Sequence, residues 1–268
     1  MSTQSAAPTT LDTHTNHPTT TTTITPPLPH QSQSQPQVYT YYHAGPLFTQ
    51  GDLFTNVLLC RAITRLSSGK LIPLLPQDLE QRGHVTPHNI RDKDIRALLA
   101  CDLALFTYDG AELDSGTVVE FMLAKMADVP SVVLRSDFRG GGDQGSHPTG
   151  AGEPWNLMSS FYPRTKSVVV DGMMQYKAAL ADALRMEKEA VDVSRIAGEN
   201  MIEATARKCV EALEEVVKMP ARMPWELRQS VFKWLALMPG YAEGRDEDDV
   251  DEMEQLLKAK EIKGLFKQ

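Results

Sequence analysis

The sequence predicts an α/β protein, a doubly wound parallel sheet of about five strands with a helical C-terminal extension. Two observations carry this reading. From Val38 to Val170, short apolar segments of strand character alternate with longer segments whose apolar residues recur at helical spacing. That alternation is the mark of a parallel sheet covered on both faces. Beyond Met174 the strand signal stops, and only the three- and four-residue periodicity continues.

Taken in order, Val38–Ala44 reads as the first strand and Phe54–Leu66 as an amphipathic helix. Leu71–Leu75 is a second strand closed by Pro76, Asn89–Cys101 a helix, and Leu103–Tyr108 a buried strand. A helix over Thr117–Ala127 follows, then a strand at Ser131–Arg135 and, after a long loop, a fifth at Ser167–Val170. The Gly140–Gly150 segment is too polar and glycine-rich for regular structure and is expected as a mobile loop. Tyr176–Met186, Val191–Lys218 and Trp225–Met238 read as helices, and the acidic run Asp246–Glu254 leads into a last one. These helices pack on the sheet or on a second subunit. Residues 1–37 are rich in Thr, Pro, Gln and Ser and lack the apolar content to pack, so they are expected as a disordered tail. His14, His17 and His30 fall in that tail, as solvated residues rather than a metal site. The domain reading is therefore 1–37 tail, 38–173 α/β domain and 174–268 helical extension.

Composition narrows the functional classes. A net charge of −8 without a basic stripe argues against binding a nucleic-acid polymer. No apolar run reaches membrane-spanning length. Cys60, Cys101 and Cys209 are odd in number, far apart and set in apolar contexts, which suits buried free thiols in a reducing compartment. No lysine or arginine precedes Arg61, so no secretory or mitochondrial leader is read, and a cytoplasmic location is expected. No metal-ligand cluster such as Cys-x-x-Cys or His-Glu-x-x-His is present, no Gly-x-Gly-x-x-Gly follows the first strand, and no cofactor is expected.

Chemistry concentrates in Asp109-Gly-Ala-Glu-Leu-Asp114-Ser-Gly-Thr-Val-Val-Glu120, an acidic loop between the third strand and the next helix. Asp114 and Ser115 are N-cap residue types, and Glu120 sits about one and a half turns in, near the helix's positive end. Gly110 and Gly116 allow close backbone approach. A capped helix with an incidental glutamate accounts for this segment equally well when it is taken alone. The first strand, however, ends in Tyr42-His43-Ala-Gly45-Pro46, the second runs into Gln77 and Asp78, and the second helix carries Asp92 and Asp94. In a doubly wound sheet those strand ends converge on one crevice. That brings at least two carboxylates, a phenol and an amide together, and paired carboxylates in unlike environments are the usual equipment for cleaving glycosidic bonds. His43 reads as a packed histidine, and Asp102 and Asp109 as structural.

With these residues placed, the stretch from Tyr39 to Gly172 resembles the nucleoside 2-deoxyribosyltransferase family. The resemblance rests on Tyr42-His-Ala-Gly-Pro-Leu-Phe48, Asp94 in Lys-Asp-Ile, Asp114-Ser-Gly-Thr-Val-Val-Glu120 and Asn156-Leu-Met158, in the family's order and with compatible spacing. It implies a flavodoxin-like fold and a transferase that needs no cofactor or metal. Glu120 matches the family nucleophile, which attacks the anomeric carbon of a 2'-deoxynucleoside to form a covalent deoxyribosyl-enzyme. Tyr42 matches the tyrosine orienting that carboxylate, and Asp94 the aspartate that exchanges protons with the departing and arriving bases. Asp114 matches a sugar-hydroxyl ligand, Gln77 more loosely a base contact, and Gly45 part of the substrate turn. Asn156 and Met158 match residues that reach the sugar's 5' end from a neighbouring subunit, which implies a homo-oligomer with shared sites. The implied partners are a 2'-deoxynucleoside and a free nucleobase.

Two other functions remain open on the residues. The long loop over 136–155 and the C-terminal extension can restrict the acceptor base, leaving a deoxynucleoside or deoxynucleotide hydrolase with the same nucleophile. A non-catalytic nucleoside or nucleotide sensor, with the helical region as its output, is the second.

Overall fold

The computed structural model describes residues 37–79, 86–137, 154–186, 190–237 and 248–267. The expected tail (apart from Gln37), its three histidines and the Gly140–Gly150 loop lie outside these residues. Five strands, β1 (Tyr39–Ala44), β2 (Leu71–Leu74), β3 (Leu103–Thr107), β4 (Ser131–Arg135) and β5 (Thr165–Val169), form one parallel sheet in the order β2-β1-β3-β4-β5. This is the flavodoxin-like order, in which the winding reverses between β1 and β3 and leaves a crevice at their carboxyl ends. Pro73 sits in β2, an edge strand, where a missing amide donor is tolerated.

Side-chain alternation along the strands separates two cores. Tyr42, Ala44, Ala104, Phe106 and Val133 face one side and pack with α2 (Pro87–Ala100) and α3 (Ser115–Met126). α6 (Trp225–Ala236) and α7 (Asp248–Ile262) close the same core through Phe232, Leu235, Met253 and Leu257. Tyr41, Leu103, Leu105, Val132 and Leu134 face the other side against α1 (Gln50–Leu66) and α5 (Ala190–Val216). α4 (Gly172–Met186) packs on α5 through Ala179, Ala183, Val193 and Ala197. The helices beyond residue 174 therefore contribute to both faces of the sheet.

Helix starts differ from the sequence reading for local reasons. α1 begins at Gln50, four residues before Phe54, because Thr49 and Asp52 form a reciprocal capping box. α2 begins at Pro87, where Thr86 caps the Asn89 amide and proline suits the first turn. Single turns of 3-10 helix at Pro76–Asp78 and Leu157–Ser159 carry no periodic signal and were not anticipated. Residues 238–247 lie outside the described set, so α6 is followed only to Leu237. All three cysteines are buried free thiols.

Candidate active site at the β1/β3 crevice

Asp114 and its helix start the site. The Asp114 carboxylate accepts from the Thr117 amide at 2.8 Å and the Thr117 hydroxyl at 2.6 Å, so it caps α3. Gly116 has a local reason to be glycine, since a Cβ there would stand 3.3 Å from that carboxylate. Gly110 holds φ at +105°, a conformation glycine adopts without strain. Gly110 thus shapes the loop and Gly116 the first turn of α3.

The helix is then rotated into place by an aromatic cluster. Phe121 meets Phe106 edge-on at 5.3 Å, Tyr108 at 5.9 Å and Tyr162 at 5.6 Å. With Phe121 fixed, its neighbour Glu120 reaches β1, and the Tyr42 hydroxyl donates to Glu120 Oε1 at 2.7 Å. Tyr42 is fully buried, which fixes the direction of this donor.

Electrostatics couple the remaining carboxylates to Glu120. Its carboxyl is pushed up to about 7, first by burial; the Tyr42 hydrogen bond opposes this, and the charges of Asp94 and Asp114 add to it. Asp94 is itself raised by burial, with Lys93 opposing. The Tyr42 phenol is raised by burial and by Glu120, so it remains a protonated donor. Tyr42, Asp94, Asp114 and Glu120 therefore interact as one group.

The other residues expected at the site are placed differently. Gln77 lies in the turn after β2, where its Oε1 accepts from Asn56 Nδ2 at 3.3 Å and its Nε2 donates to the Leu53 carbonyl at 3.2 Å. Gly45 is buried at the end of β1, and a Cβ there would press to 3.1 Å from Thr107 Cβ, so the turn has no room for a larger residue. Asn156 and Met158 are exposed, and the Asn156 side chain accepts from the Met158 amide at 2.8 Å. That contact is local to its own 3-10 turn.

Over residues 41–158 the chain matches the nucleoside 2-deoxyribosyltransferase family. The matched stretch takes in all eight site residues expected from the resemblance, from Tyr42 to Met158. A conserved protein from Enterococcus faecalis V583 is similar in structure, with 26% identity and a TM-score of 0.41 over 50% of this chain and 91% of its own. A 2-desoxiribosyltransferase from Leishmania mexicana is 25% identical, with a TM-score of 0.38 over 56% of this chain and 99% of its own. No curated protein matches the chain.

Three residues within the matched stretch escaped the sequence reading. Asn56 is a buried polar residue on the inner face of α1 and joins the Pro46 carbonyl to Gln77. Arg135, buried at the end of β4, donates to the carbonyls of Tyr108 and Gly110 and pairs with Asp137, which in turn accepts the Gly110 amide. It clamps the start of the acidic loop. An arginine ending an otherwise apolar buried strand was the available signal. Thr107, beneath Gly45, is the third.

His43 is buried with Cys60 Sγ 3.1 Å from its Nδ1, and burial pushes its pKa down to about 4. Asp102 takes the Thr40 amide and the Lys263 ammonium, and Asp109 takes the Ser136 and Asp137 amides. All three residues hold structure together. Among the described residues no group of three or more His, Cys, Asp or Glu is placed to hold a metal ion, and no helix is long and apolar enough to cross a membrane.

Proposed function

We propose that the protein transfers the 2-deoxyribosyl group between nucleobases through a covalent intermediate on Glu120. The observation that carries this reading is the buried Tyr42 hydroxyl held 2.7 Å from Glu120, with Asp94 and Asp114 acting on the same carboxylate. The match of residues 41–158 to the nucleoside 2-deoxyribosyltransferase family supports it.

In the first half-reaction a Glu120 carboxylate oxygen bonds to C1' of the deoxynucleoside. The C1'–N bond breaks, its electron pair leaves on the base nitrogen, and the Asp94 carboxyl supplies the base with a proton. The missing 2'-hydroxyl favours an oxocarbenium-like transition state, which the Glu120 carboxylate stabilises and then traps. In the second half-reaction Asp94 takes a proton from the incoming base, whose nitrogen bonds to C1' as Glu120 departs with its electron pair. The raised Asp94 pKa suits a group that must carry that proton. Tyr42 holds the nucleophile's rotamer and favours its ionised form against the burial that disfavours it.

In this reading Asp114 binds a sugar hydroxyl with the acceptor capacity left by its capping role, and Gln77 and the Gly45 turn border the base. Asn156 and Met158 belong to a neighbouring subunit's site. Exposed Leu157, Met158 and Phe161 offer an apolar surface for such a contact. The cytoplasm is the assigned compartment, supported by three free buried thiols.

The deciding experiment is intact-protein mass spectrometry after mixing the chain with 2'-deoxynucleosides, with and without a second free base, beside Glu120→Ala. A deoxyribosyl adduct and base exchange, both lost in the variant, is the expected result. Base release indifferent to the acceptor makes the protein a hydrolase. No adduct, exchange or release across the common deoxynucleosides overturns the reading in favour of a sensor.

A further inference from the structure

A cavity of about 320 Å³ opens on the face of the sheet opposite Glu120. Its floor includes Leu59 and Leu134, which belong to the α1/α5 core, whereas Tyr42 and Phe121 belong to the other. The walls come from α1, the carboxyl ends of β3 and β4, the first turn of α4 and the middle of α5. This volume falls at the lower end of the range of small-molecule sites, which lies at roughly 300–1,000 Å³.

The polar groups on the lining define the ligand's charge. No lysine or arginine is among the lining residues, so a phosphate or carboxylate has no counter-charge. The two carboxylates present are already committed. Asp109 accepts from the Ser136 amide, the Ser136 hydroxyl and the Asp137 amide, and Asp137 pairs with Arg135 and the Gly110 amide. A cation therefore gains little, and a neutral ligand is favoured. Hydrogen-bonding capacity remains in neutral groups. The Thr205 hydroxyl is engaged with Gln175 Oε1 and the Met201 carbonyl, while the side-chain amides of Asn56 and Gln175 border the space with an oxygen and a nitrogen respectively.

We propose that this cavity is a second binding site, taking an uncharged nucleobase, either free or as the base of a nucleoside. The apolar floor suits the faces of a heterocycle, and the Asn56 and Gln175 amides suit its edges. The choice of a nucleobase rests on the proposed transfer reaction, whose donors and acceptors are such molecules. The cavity is also in contact with the catalytic side. Asn56 lines it while donating to the Pro46 carbonyl and to Gln77, and Thr107 packs under Gly45.

The test is methyl NMR of the full chain labelled at threonine, because Thr55, Thr107 and Thr205 all line the cavity. Adenine, cytosine and thymine are titrated into the unmodified chain, and the matching 2'-deoxynucleosides into Glu120→Ala. Saturable shifts of these three methyls are expected in both. Shifts from free bases alone assign the site to the base, and shifts from both show that an attached sugar is accepted. Thr55→Trp, an exposed position at the rim, is expected to abolish the shifts of the other two methyls with base exchange within about twofold of the parent. Absence of shifts at these methyls, or shifts that survive Thr55→Trp, overturns the proposal. Threonine shifts without any base exchange or release would instead defeat the proposed reaction and leave the second site standing.

Discussion

Replacing Tyr42 by Phe removes one oxygen and tests the centre of the proposed site. The lost hydrogen bond is 2.7 Å long and ends on a carboxylate that burial and two neighbouring aspartates push toward the neutral form. A hydrogen bond to a charged group contributes a net ~1.5–3 kcal/mol. If that stabilisation belongs to ionised Glu120, its loss slows base exchange by ~10- to 100-fold at neutral pH. The sign of the pH effect is fixed as well. Tyr42 is the opposing influence that holds Glu120 down to about 7, so without it the carboxyl protonates more readily and the nucleophile is lost at higher pH. The acid limb of the pH–rate profile therefore moves upward by ~1–2 pH units. The assay is the initial rate of base exchange from pH 5 to 9, with circular dichroism to establish folding. A folded variant whose rate stays within twofold, or whose acid limb stays put, refutes the role assigned to this contact.

Other consequences follow from the same geometry. Glu120→Gln keeps an acceptor for Tyr42 but removes the titration. The folded carboxyl sits at about 7 against an ordinary 4.5, so the stability linked to it is full below 4.5 and fades as pH rises through 7. The variant should melt level with the parent at pH 4 and be more stable at pH 8, by an amount on the order of 2 kcal/mol, and a gap that does not change with pH would contradict this. Asp94→Asn should slow exchange of natural bases by ~10²–10⁴-fold. It should slow far less the formation of the Glu120 adduct from 2-deoxyribosyl fluoride, whose leaving group needs no base proton; equal losses would remove Asp94 from proton transfer. Arg135→Met breaks a buried ion pair and frees the Tyr108 and Gly110 carbonyls, at a cost of ~3–5 kcal/mol in urea unfolding. A loss below about 1 kcal/mol would show that the clamp on the acidic loop is not needed for stability.

How legible the site was in the sequence depended on the kind of contact. Asp114 and Glu120 stand on one loop and helix, so their spacing is a local property readable from residue types and order. Tyr42 and Asp94 join them only when the crevice between β1 and β3 closes around all four. The resemblance grouped them, but the hydrogen-bond distance and the shift on Glu120 come from burial, a property of the assembled core. Gln77 is the instructive case. Its placement after β2 was readable, but its amide is engaged by Asn56 and the Leu53 carbonyl, contacts that require α1 to lie across the turn.

What the sequence determined by itself is the set of strands and α-helices. Alternating apolar runs and helical stripes mark five strands and seven helices because each element must bury a face, and β4 is bounded identically in both readings since the four residues before its terminal arginine are apolar or small. What only the tertiary structure decided is which face each element covers and what it meets there. The order β2-β1-β3-β4-β5, the enlistment of α5 and α6 on opposite sides of the sheet, and the cavity beneath Gly45 all depend on long-range packing. A one-dimensional pattern records that a residue is to be buried. Its neighbour across the core is selected by shape and by unpaired hydrogen-bonding groups, and those exist only once the chain has closed on itself.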